Sequence, residues 1–130
     1  LLTPNIPEAE RLLSGKSDLT PQEQGKALLA LGPAAILMKG GHADGALCHD
    51  YLVTGSQIIS FDAPRIDTGN THGTGCSLSS AIAAGLAKNL VLNEAIGTAH
   101  QWLHGAIKAA DQLGIGQGHG PVHHFHQFWR

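Results

Sequence analysis

"DTGNTHGTGCSLSSAIAAGLA", residues 67–87, sets a glycine-paired turn directly against an unbroken helical run. Gly73 and Gly75 stand immediately before Cys76, one of two cysteines in the chain. From Cys76 onward, Leu78, Ile82, Leu86 and Leu90 recur every four residues, and Ala81, Ala83, Ala84 and Gly85 leave almost no polar face before Lys88. The pattern predicts a helix buried nearly all round. A helix amino terminus offers unpaired N–H groups and a partial positive charge, and glycines let a ligand approach the backbone closely, so "GTGC" has the form of an anion site. The same two glycines would also serve an unusual turn with no ligand. A thiol at a helix amino terminus is favoured as thiolate and can accept the proton of an alcohol. The other common use of a free cysteine is as a small buried apolar residue, which is how Cys48 reads.

Outward from this turn, the preceding segments alternate strand and helix signals. "PAAILMKGGHADG", residues 33–45, has five apolar residues ended by Lys39 and two glycines, the pattern of a central strand covered on both faces. Lys39 is expected at its carboxyl end, where a phosphate could meet it, although a terminal lysine is also often only solvated. "ALCHDYLV" and "QIISFDA" flank the turn residues "TGS" and predict a hairpin at a sheet edge, followed by the polar loop "RIDTGNTHG".

Two helices are expected earlier. "NIPEAERLLSG" places Asn5 and Glu8 three apart with Pro7 in the first turn, and "DLTPQEQGKALLALG" repeats the grammar with Thr20, Pro21 and Glu23. Both are capping boxes by spacing. Asn5 and Glu8 are also an amide and a carboxylate able to hold water around Mg²⁺, an ion that keeps much of its hydration. A last helix is predicted over about Leu92 to Leu113, ending at Gly114. Strands interleaved with helices point to an α/β layered domain with a mostly parallel sheet and its sites at the carboxyl ends of the strands.

The 130 residues, 42% of them hydrophobic, suffice for one domain. A formal net charge of -2 without a Lys/Arg run gives no footprint for nucleic acid or anionic membrane, so small solutes are the expected partners. Cys48 and Cys76 form neither a CxxC pair nor a disulfide framework, which fits a reducing, cytoplasmic setting. No stretch approaches a membrane span and the amino terminus does not read as a signal peptide. "LLTPN" reads as the end of a buried strand. The chain has nine histidines, but the HHxH of His123, His124 and His126 in the tail lacks the two separated ligand pairs of a structural zinc site.

Four stretches, "TPNIPEAERLL", "ILMKGGH", "RIDTGNTHGTGCSLSSAIAAGLAKN" and "GIGQGHGPVHHFH", together resemble the hydroxymethylpyrimidine and phosphomethylpyrimidine kinases of thiamin biosynthesis, with "NTHGTGC" the most specific part. The resemblance implies a three-layer ribokinase-like α/β fold with a mostly parallel central sheet, of which residues 1–130 would be the carboxyl-terminal half. It implies ATP and Mg²⁺ as cofactors, and transfer of phosphate to a hydroxymethylpyrimidine and then to its monophosphate. Gly73, Thr74 and Gly75 resemble the family's anion hole and Cys76 its base. Asn5 and Glu8 match its Asn-x-x-Glu element around Mg²⁺ and phosphate, and Lys39 matches the lysine of its KGG motif. Related sugar kinases carry Asp in place of Cys76. Members of the family are about twice this length, so the acceptor pocket is expected from an amino-terminal companion chain or a second copy. A pyridoxine- or pyridoxal-type kinase and a non-catalytic nucleotide-binding remnant are the alternatives.

Overall fold

Strand β1, Ala35–Met38, is buried along its whole length, as its uninterrupted apolar sequence requires. β2, Leu47–Thr54, and β3, Ile58–Pro64, form the expected hairpin around Gly55 and Ser56. The computed structural model describes residues 1–15, 18–41 and 45–129, so His42 of the ILMKGGH stretch lies outside the described residues. The chain divides into two compact units, Leu1–Arg65 and Ile66–Arg130.

In the first unit the three strands lie in the order β1-β2-β3. Both pairs are antiparallel, with Leu37 opposite Leu52 and Tyr51 opposite Ser60. The expected edge hairpin accounts for the β2–β3 pair, and three antiparallel strands are consistent with part of a larger, mostly parallel sheet. Among the described residues of this unit, parallel pairing occurs only as isolated bridges from Leu2 to Ile36 and from Asn5 to Lys39, where residues 2–5 run beside β1. The physical reason is the hairpin: a short turn can only return the chain antiparallel, and it occupies one side of β1.

Helix α1, Ile6–Leu12, and helix α2, Pro21–Leu29, each begin with a complete capping box and a proline in the first turn. Ala9, Leu28, Ile36, Met38 and Val53 make one buried cluster, with Leu2, Leu13, Leu29 and Tyr51 packed around it. On the strands, Ile36 and Met38 face Val53 and Tyr51 across the β1–β2 register. Gln24 is also buried: it is 1% exposed, and neither its Oε1 nor its Nε2 finds a hydrogen-bond partner among the described residues.

The second unit is built on α3, Thr74–Ala87, and α4, Leu92–Lys108. Gly85 permits their close approach, since a Cβ there would lie 3.1 Å from Ala95 Cβ. α4 buries Ala95, Ile96, Ala99, Leu103 and Ala106. It stops five residues earlier than the pattern predicts and tightens into a 3₁₀ turn at Ala110–Gln112, carried by bonds from Gln112 N–H to Ala109 O and from Leu113 N–H to Ala110 O. α3 is not buried all round. Only Leu78 and Ile82 are buried, whereas Leu86 is 39% and Leu90 36% exposed. Within the unit, α4 covers one face of α3, and a largely apolar sequence cannot itself supply a cover for the others.

No helix among the described residues is long and apolar enough to cross a membrane.

Candidate functional site

The turn before α3 is left-handed. Gly73 is the N-cap with φ 85° and ψ 5°, a conformation in which any Cβ is strained, and it makes no side-chain cap. α1 and α2 each satisfy an early amide with a capping side chain, from Glu8 N–H to Asn5 Oδ1 and from Glu23 N–H to Thr20 Oγ1. In α3, Ser77 N–H bonds to Gly73 O at 2.9 Å and Thr74 N–H reaches Thr71 O at a long 3.4 Å. The amides of Gly75 and Cys76 between them take no partner among the described residues. Two adjacent donors thus stand at the positive end of a 14-residue helix, beside an exposed Cys76. Gly73, Thr74, Gly75 and Cys76 therefore stand together as one local element.

Asn5, Glu8 and Lys39 are also brought together, within the first unit. The Asn5–Glu8 capping box is fully formed, each backbone N–H donating to the other's side chain at 2.8 Å. Glu8 Oε2 lies 4.0 Å from Lys39 Nζ. Lys39 follows β1 directly, its N–H held by Pro4 O at 2.9 Å, so the lysine sits at the strand's carboxyl end as expected. Its side chain is 19% exposed against 58% for Glu8, which leaves Glu8 the more hydrated member.

Several residues that support these elements were not singled out from the sequence. The buried Asp50 on β2 accepts the Gly40 N–H at 2.8 Å, fixing the backbone next to Lys39. Gly40 is there because nothing larger fits: a Cβ would lie 2.0 Å from the His49 carbonyl oxygen. Arg65 spans the two ends of the following loop, its Nε donating to Gly45 O at 2.8 Å and its Nη1 to Gly41 O at 3.0 Å. An acidic residue at an inward position of an apolar strand was the available clue to Asp50.

The histidines of the tail are committed to packing and hydrogen bonds. His123 is 2% exposed and sets its ring edge-on to Trp129 at 4.7 Å. His124 Nε2 and Ser77 Oγ are hydrogen-bonded at 2.8 Å, in the first turn of α3. His126 Nδ1 meets His123 O at 3.1 Å. No group of three His, Cys, Asp or Glu side chains among the described residues is placed to hold a metal ion.

Comparison with known proteins bears on the fold and the family. Over 96% of this chain and 49% of the other, the fold matches a pyridoxal kinase of Bacillus subtilis in its ADP complex, with a TM-score of 0.88 and 32% sequence identity. The fold is therefore ribokinase-like, and the three antiparallel strands are part of it. The hydroxymethylpyrimidine/phosphomethylpyrimidine kinase of Salmonella typhimurium is 49% identical over 99% of this chain and 50% of its own length. The thiamine biosynthesis bifunctional protein ThiED of Geobacter sulfurreducens is 44% identical over 95% of this chain and 25% of its own length. The chain spans about half the length of the curated kinases it matches. A sequence model described as Phosphomethylpyrimidine kinase matches residues 1–123, and with these similarities it establishes that the chain belongs to the phosphomethylpyrimidine kinase family.

Proposed function

We propose that the chain carries the phosphate-handling part of an ATP-dependent kinase acting on 4-amino-5-hydroxymethyl-2-methylpyrimidine and then on its monophosphate, in thiamin biosynthesis. The observation that carries this reading is the pair of unpartnered amides at Gly75 and Cys76, behind left-handed Gly73. Phosphoryl transfer needs positioning and charge stabilisation more than a strong base. The two N–H groups donate to oxygens of the transferring phosphoryl, where charge gathers. Cys76 Sγ is the group that takes the hydroxyl proton of the acceptor, and Thr74 and Gly73 shape the turn that aims both. Lys39 supplies a positive charge to phosphate oxygens.

The donor in this reading is ATP, in keeping with the ADP complex of the similar Bacillus kinase. The residues present also fit Mg²⁺ held through water. Asn5 Oδ1 and Glu8 Oε2 are engaged in the capping box, while Glu8 is 58% exposed and has a second oxygen for a hydrated ion. When bound, the ion would neutralise phosphate charge. The acceptor pocket is completed by an amino-terminal companion segment or a second copy, and the setting is the cytoplasm, in keeping with two free cysteines.

Turnover of the whole kinase tests the anion cradle. Gly75→Val, which crowds the amides, should impair turnover at least as much as Cys76→Ser. Parent-like turnover of Gly75→Val would remove the cradle from the mechanism. The likeness to pyridoxal kinase favours one second reading, a pyridine-alcohol kinase, which competition between pyrimidine and pyridoxal substrates would distinguish. Phosphate binding without transfer to either would indicate a non-catalytic remnant.

A further inference from the structure

The turn at Gly73 has no cap of its own, so the direction of its amides is set by the residues that hold it. Those residues form a compact network inside the second unit. Asn70, three residues before Gly73, is half-buried and uses both ends of its side chain. Its Nδ2 donates to Asp111 Oδ1 at 2.8 Å, and its Oδ1 accepts the Gly120 N–H at 2.8 Å. Its own N–H donates to Thr68 Oγ1 at 3.1 Å, and the Thr68 hydroxyl donates to the same oxygen of Asp111. Gly120 is buried and has no room for a side chain, since a Cβ would fall 2.4 Å from Asn70 Oδ1.

The tail then runs beside the loop as a short parallel bridge between His72 and Pro121. His72 N–H donates to Gly120 O at 3.1 Å and Val122 N–H to His72 O at 3.4 Å, while His119 Nδ1 meets Gly69 O at 2.9 Å. The tail is itself pinned to α4 by His123 N–H on Ala106 O at 3.0 Å. Residues 69–72 are thus fixed to the end of α4 and to the tail up to the residue before the turn.

We propose that Asn70, oriented by Asp111, is a positioning residue that aims the phosphate-binding amides of Gly75 and Cys76. The network requires a side chain with one donor end and one acceptor end at position 70, facing an acceptor at position 111. Asn meets that requirement where Asp and Leu do not. The hydrogen bonds from Thr68 and Asn70 hold the Asp111 carboxyl below the usual aspartate range, so the acceptor is in place at neutral pH. The functional part of this inference rests on the phosphate-binding reading above, and the positioning part does not.

The test is a charge swap in the full protein, at a temperature where every variant is folded. Asn70→Asp keeps an acceptor for Gly120 N–H but sets two carboxylates against each other. The double variant Asn70→Asp/Asp111→Asn restores one donor and one acceptor across the pair. Without ligand, the amide resonances of Gly73–Ser77 should move and exchange faster in Asn70→Asp and return toward parent values in the double variant. Titration with ADP and with inorganic phosphate should show weakened binding in the single variant. Turnover should fall about 10²-fold, as for a misplacement on the order of 1 Å, with kcat affected more than KM for the alcohol, and the swap should recover most of it. Unchanged Gly75 and Cys76 amides in Asn70→Asp, or a double variant as impaired as the single one, would overturn the proposal. A parent that binds neither probe at these amides would instead sink the phosphate reading, with the ligand-free exchange still deciding whether Asn70 positions the turn.

Discussion

Replacing Gly73 tests whether the handedness of one residue holds the anion cradle open. Its φ of 85° places it in the left-handed region, and a Cβ there would meet only Ser77 Oγ, at 3.9 Å. Space is therefore not the constraint, and the cost of a side chain is the backbone strain alone. For alanine that strain is about 1–2 kcal/mol. Asparagine, which tolerates this conformation better, should cost roughly half as much, and the β-branched valine should cost more than alanine. Both tryptophans, Trp102 and Trp129, lie in the second unit, so urea unfolding followed by tryptophan fluorescence reports on the part of the protein that contains the turn. The midpoint should fall in the order Asn, Ala, Val with the slope unchanged. Equal costs for all three variants, or an alanine variant as stable as the parent, would refute the argument from handedness.

Three further outcomes are expected. Gln24→Met should stabilise the protein by about 1–3 kcal/mol, because a buried amide without partners is replaced by an apolar side chain of similar length; a lower urea midpoint would show that the amide is satisfied. Gly40→Ala should destabilise by at least about 1–3 kcal/mol, since the new Cβ would overlap the His49 carbonyl oxygen and backbone must move to admit it; an unchanged thermal midpoint would contradict that contact. The folded-state pKa of Asp111 is lowered by its bonds to Thr68 and Asn70, so its contribution to stability is complete above the ordinary aspartate range. That contribution is lost as pH falls from that range through the lowered value. Asp111→Asn should flatten that limb of an acid titration, and an identical acid limb in parent and variant would exclude the linkage.

Local grammar was readable in advance where it depends on neighbours in the chain. Asn5–Glu8 and Thr20–Glu23 satisfy each other across three residues, and both boxes form. The apolar run ending at Lys39, the hairpin, and the helix starting behind Gly73 depend on periodicity and turn chemistry in the same way. The direction of β1 against β2 was not readable, because alternation is the same in parallel and antiparallel pairs and only the connection decides between them. The exposure of Leu86 and Leu90 was not readable either, since a helix sequence states its appetite for burial and not what covers it. The candidate site divides along the same line. The turn and Cys76 could be picked out, but Asn70 is linked to residues 41 and 50 positions away, and Asp50 to a glycine ten away, and no local pattern encodes those meetings.

The Arg65 guanidinium holds Gly41 and Gly45 by their carbonyls, and so acts as a clasp on the neck of the loop between them. Arg65, the residue after β3, thereby ties the backbone just beyond Lys39 to the backbone just before β2, so the exit of β1 and the entrance of β2 are anchored by one side chain on the far end of the hairpin.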